Sequence, residues 1–100
     1  MYTDEDKRKI QNVKNLEQKG ELNEALKICE SLTKENESNY FVLNLHGYIL
    51  LKLNNFKISK KFLTKSIELN EKFAASHYLL GINNYNLNQL EESLENFIKA

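Results

Sequence analysis

The sequence predicts an all-α protein built from antiparallel helix pairs stacked in a row. Three observations carry that expectation. The chain resembles itself at an offset of 34 residues, apolar residues inside each copy recur at three-and-four spacing, and proline is absent while glycine occurs only three times.

The offset is visible by sliding residues 40–66 onto 74–100. Leu45 falls on Leu79, Gly47 on Gly81, Leu53 on Leu87, Asn54 on Asn88, Ser59 on Ser93 and Lys65 on Lys99. Phe56 with Leu90, Leu63 with Phe97 and Ser66 with Ala100 are similar pairs. One further step back sets Gly20 on Asn54, Leu22 on Phe56 and Ala25 on Ser59. The chain therefore divides into three copies, about 6–39, 40–73 and 74–100, and about six helices.

In the first copy, Asp4-Glu5-Asp6 suits a first helical turn, where the macrodipole favours negative charge. Lys19-Gly20-Glu21 ends that helix, with Gly20 fitted to a left-handed position just past it. An amphipathic run from Leu22 to Glu35 follows. In the second copy, Leu43, Leu50 and Leu53 with Gly47 between them mark one helical face. A strand would need strict alternation, and the consecutive Ile49-Leu50-Leu51 breaks it. Asn54-Asn55 is the turn, and Phe56 to Leu69 carries Phe62, Leu63 and Ile67 at helical spacing. The third copy repeats this, turning at Asn88-Gln89 and running from Leu90 to the end.

One hundred residues with 41% apolar and 28% charged side chains fit one folded domain. Fourteen basic residues balance fourteen acidic ones, so global charge gives no case for nucleic acid or an anionic membrane. The middle copy alone is basic, six residues against two, while its neighbours are each net −2. The acidic start has no secretory h-region, and Asn44, His46 and Lys52 interrupt the best apolar window. A cytoplasmic location is the simplest expectation, and the lone Cys29 is compatible with it.

A helix–turn–helix unit of this length resembles the tetratricopeptide repeat family. The first-helix pattern is similar to His77-x-x-Leu80-Gly81, with Tyr85 one residue late, and to Leu43-x-x-His46-Gly47, with Leu50 in the tyrosine slot. The small residue early in the second helix matches Ala25, Ser59 and Ser93. The large residue four further on matches Cys29, Leu63 and Phe97. The first copy departs, with Val13 where glycine is expected, and Glu37 and Glu71 replace the usual closing proline. The resemblance implies a right-handed α-solenoid, with Gly47 and Gly81 as notches opposite Ser59 and Ser93. The third copy stops inside its second helix without a polar cap, which suggests a fragment of a longer chain and possible self-association through that repeat.

Nothing in the chain spells catalysis. His46 has Val42, Leu43, Ile49 and Leu50 at helical spacing, and His77 has Phe73, Ala74, Leu80 and Gly81, so neither gains a second metal ligand. Cys29 has no local base and reads as a packing residue. There is no phosphate-binding glycine loop and no nucleophile elbow. Lys57, Lys60, Lys61 and Lys65 form a stripe that reads as a solvated face. The expectation is no catalytic residue, no cofactor and no metal.

The resemblance implies that first helices line a groove for peptides or partner helices. It places groove positions at Lys7, Ile10, Lys14, Glu17 and Gln18, then at Phe41, Asn44, Tyr48, Leu51 and Lys52, then at Ala75, Tyr78, Ile82, Tyr85 and Asn86. Of these, Phe41, Asn44, Tyr48, Leu51, Lys52, Tyr78, Ile82, Tyr85 and Asn86 are the expected partner-binding set, free of any role in holding the repeats together. Family members that bind chaperone tails use lysine, asparagine and arginine where this chain has Ile10, Lys14, Leu45, Ala75 and Leu79. The asparagine ladder of the sugar-transferase subtype falls on Gln11, Leu45 and Leu79. Neither chemistry is expected here. The reading is a non-catalytic scaffold for a protein or peptide partner; the alternative is the N-terminal arm of a larger glycosyl- or sulfotransferase-like enzyme.

Overall fold

The computed structural model describes residues 2–100 as six α-helices: α1 (Asp4–Gln18), α2 (Leu22–Glu35), α3 (Tyr40–Lys52), α4 (Phe56–Leu69), α5 (Ala74–Asn86) and α6 (Leu90–Lys99). Each odd helix packs on the even helix that follows it, each even helix on the next odd one, and α3 also touches α5. The result is an elongated α-solenoid measuring 39 × 27 × 18 Å.

The helix ends explain the boundaries. Thr3 caps α1 through a capping box: its hydroxyl accepts from the Asp6 amide, and the Asp6 carboxylate accepts from the Thr3 amide, both at 3.0 Å. That backbone donor holds the Asp6 carboxyl below the usual carboxylate range. Asn39 caps α3 by accepting from the Phe41 and Val42 amides. Gly20, Asn54 and Asn88, one per pair, all take left-handed φ values of 79°, 63° and 62°. Each closes a Schellman turn. In the second pair the Asn55 amide donates to Leu50 O and the Asn54 amide to Leu51 O, both at 2.9 Å. Asparagine tolerates this conformation better than other residues with a Cβ, which gives Asn54 and Asn88 a structural reason.

The core lies in two clusters between the pairs. Val13, Ala25, Cys29, Leu32, Val42, Leu45 and Ile49 join the first to the second. Leu51, Leu63, Leu79 and Leu80 join the second to the third. Burial pushes the Cys29 thiol up to about 12, so it stays an uncharged packing group.

The glycine notches are present and more specific than the sequence indicates. A Cβ at Gly47 would lie 2.7 Å from Leu63 Cγ, and one at Gly81 would lie 2.7 Å from Phe97 Cε1. The notch therefore receives a side chain four residues beyond the serine. Ser59 instead donates its hydroxyl to Gly47 O at 2.6 Å, and Ser93 to Gly81 O at 2.8 Å. His46 sits between pairs, its Nδ1 2.8 Å from the Thr33 hydroxyl and its ring 4.0 Å from that of Phe62. Burial lowers its pKa to about 4, so the ring is neutral at pH 7. His77 Nε2 lies 2.7 Å from Glu71 O and so ties α5 to the preceding turn.

Candidate functional site

The first helices stand side by side, and between α3 and α5 they leave an open depression of about 410 Å³. Tyr48, Leu51 and Lys52 of α3 line one wall; Tyr78, Leu79, Ile82 and Asn86 of α5 line the other. Asn54 and Phe56, from the turn into α4, close one end. Helical spacing builds each wall: Leu51 and Lys52 lie three and four residues beyond Tyr48, and Tyr78, Ile82 and Asn86 follow one another at intervals of four.

The wall is mixed in character. Burial, and then the nearby Glu17 carboxylate, raises the Tyr48 phenol above its ordinary pKa, so it stays protonated and able to donate. Lys52 is exposed and, among the described residues, has no acidic partner within ion-pair distance. Asn86 is exposed and donates its side-chain amide to Ile82 O at 2.8 Å, which leaves its side-chain oxygen able to accept. Apolar rings, one free ammonium and amide groups share one surface.

Six of the nine groove residues expected from sequence meet in this depression: Tyr48, Leu51, Lys52, Tyr78, Ile82 and Asn86. Phe41 does not. It is half-buried, 6.2 Å from the Tyr2 ring and 6.3 Å from Phe73, with Lys14 Nζ 5.9 Å above it. It belongs to an aromatic row at the N-terminal ends of the first helices.

Asn44 and Leu51 need correction, because the sequence reading gave them no part in holding the repeats together. Asn44 is only 9% exposed, and its Oδ1 accepts from the Ser76 hydroxyl at 2.8 Å. Ser76 in turn pairs with Ser66 at 2.7 Å, so the three residues form a buried chain joining α3, α4 and α5. Leu51 is 7% exposed and belongs to the second core cluster while it also lines the depression. Their counterparts one repeat on, Tyr78 and Tyr85, are 54% and 63% exposed. The helical position is the same; what differs is that α5 covers the first two and no following helix pair among the described residues packs over the others.

Asn54, Phe56 and Leu79 line the depression without having been assigned to it. The available signal was the turn itself: a left-handed Asn54 swings Phe56 back toward α3. The lysine stripe of α4 also forms a concave surface. Lys57, Lys60, Lys61 and Lys65 line a second open depression of about 630 Å³ beside Gln89. Lys60 is engaged there, 2.7 Å from Gln89 Oε1 and 3.4 Å from Glu92 Oε2.

Among the described residues no helix is long and apolar enough to cross a membrane. The family model for the tetratricopeptide repeat matches residues 42–73. No curated protein matches the sequence. Several solved structures share the fold. The second TPR of Spaghetti (RPAP3), bound to the HSP90 peptide SRMEEVD, superposes with a TM-score of 0.89 at 14% identity, covering 96% of this chain and 89% of that one. The Yersinia enterocolitica type III secretion translocator chaperone SycD, in an alternative dimer, gives 0.91 at 11% identity over 98% and 74%. The Arabidopsis OM64 TPR domain gives 0.86 at 16% identity over 92% and 76%.

Proposed function

Taking the chain as a tetratricopeptide-repeat protein, matched in sequence at residues 42–73 and in fold over nearly its full length, we propose that it is a protein-interaction scaffold. Its ligand is an extended peptide or a helix held in the depression between α3 and α5. The observation that carries this is the composition of that surface: Tyr48, Tyr78 and Ile82 beside the unpaired Lys52. Rigid amphipathic rings give contact area at low entropic cost, and a free ammonium selects a carboxylate. The fitting peptide has a large apolar residue with an acidic residue close to it.

Spaghetti domains of the same fold hold the peptide SRMEEVD. The family's carboxylate-gripping positions here carry Ile10, Lys14, Leu45, Ala75 and Leu79, so that peptide is not the proposed ligand. The test is selection from a displayed random-peptide library on the wild-type chain, followed by anisotropy titration of the recovered peptides. Lys52→Glu with Tyr78→Ala, both at exposed positions, should weaken them by about tenfold or more with helicity unchanged. Peptides that bind the double variant as tightly as wild type would refute the groove, and so would tight binding of SRMEEVD.

A further inference from the structure

Six of the nine exposed large apolar side chains among the described residues lie on the last helix pair, and one of them, Tyr78, also lines the depression. Tyr85, Leu90, Leu94, Phe97 and Ile98 make up this face with Tyr78, whose ring is 5.8 Å from that of Phe97. Repeat packing explains part of this face, since Tyr78, Tyr85, Leu90 and Phe97 match positions 44, 51, 56 and 63, which α5 covers in the middle repeat. Leu94 and Ile98, 62% and 74% exposed, extend the face along α6. Position 94 matches Leu26, which packs on the first core cluster, and the half-covered Lys60. Position 98 matches Glu30 and Thr64, so Ile98 widens the apolar stripe of α6 beyond that of either earlier second helix.

We infer that this face is a two-fold interface on which a second copy of the chain packs, α6 antiparallel to its counterpart. The six side chains leave roughly 600 Å² exposed, near the ~800 Å² that each partner contributes to a standard interface and at the upper end of what a monomer shows to water. The other end of the solenoid cannot be the mate. No large apolar residue of α1 or α2 is exposed, and the outer face of α1 presents Lys7, Arg8, Gln11 and Asn15. An apolar end excluded from a polar end pairs with itself, which closes at two copies.

Charge is consistent with that pairing. The chain has no net charge to keep copies apart. On α6, Glu91, Glu92 and Glu95 make the first half acidic while Lys99 makes the last turn basic. Antiparallel packing places each basic end beside the partner's acidic start and opposes the two helix dipoles. Glu92 is already turned aside to Lys60, 3.4 Å away.

The experiment is sedimentation equilibrium of the 100-residue chain from about 1 to about 200 µM, with Leu94→Glu/Ile98→Glu measured in parallel. The mass should rise from 11.7 kDa to twice that value and stop. The variant should remain monomeric with an unaltered helical melt, because both positions lie outside the core. A wild-type chain that stays monomeric throughout would overturn the interface, leaving the face for a different protein or a further helical segment. Growth beyond two copies, or a variant that still dimerises, overturns it equally. Neither substitution touches the α3–α5 depression, so this result and the peptide-binding result are read separately.

Discussion

The second and third repeats share a sequence skeleton and differ in what lies beyond them. Leu63 and Phe97 occupy the same position, each filling a glycine notch on the preceding helix, yet Leu63 is fully buried and Phe97 is 39% exposed. Asn44 and Leu51 are core residues where Tyr78 and Tyr85 are surface residues. In a solenoid, burial at a position is set by the next repeat as much as by the residue's own pair. The same skeleton thus yields a packing element in the middle of the array and an exposed apolar one at its end.

The sharpest way to break the comparison is to truncate the two notch fillers. Leu63→Ala should cost about 3 kcal/mol in urea denaturation, since its cavity is enclosed on all sides. Phe97→Ala should cost less than half as much under conditions where the chain is monomeric, although the larger side chain is being removed. Equal losses would mean that the terminal pair is as tightly packed as the middle one.

Acid should strike the other side of the middle repeat. His46 is neutral and buried against Thr33 and Phe62, with a folded pKa of about 4 against 6.5 for the free ring. A base with a lowered folded pKa gives stability that is complete above 6.5 and lost as pH falls toward 4. Lowering the pH from about 7.5 to about 5 should therefore cost about 2 kcal/mol, and His46→Leu should remove most of that dependence. Position 80, one repeat on, is already leucine, so amide exchange in acid should accelerate between α2 and α3 before α5. A wild-type chain equally stable at both pH values would contradict the burial of the ring.

The smallest contrast concerns the notches themselves. Gly47→Ala should destabilise by about 1–2 kcal/mol, because the new methyl meets Leu63 where nothing can yield. Gly81→Ala should cost roughly half that, as Phe97 has solvent into which it can retreat. Melting curves of the two variants decide it, and a reversed order would show that α6 is held more firmly than α4.

Much of this was legible in the residues. The 34-residue offset fixed the second helices at Leu22, Phe56 and Leu90, and it put Gly20, Asn54 and Asn88 at one equivalent left-handed turn. These are local matters, decided by spacing within a helix and by backbone sterics at its end. The candidate site was legible only in part. Periodicity identifies which residues share a helical face; it does not say whether another helix lies on that face. Asn44 was therefore assigned to open surface, and the Ser66–Ser76–Asn44 chain, whose members are 10 and 32 residues apart in sequence, left no pattern to read.

By itself the sequence determined the repeat, the helix pairs, their turns and the small residues that let helices approach, because each follows from interactions within about one turn or one pair. Only the tertiary structure decided which tyrosines face water, what fills each notch and where a groove opens. Those depend on the neighbouring repeat, whose contribution to burial is written in another part of the chain and, at α6, in no part of the chain described.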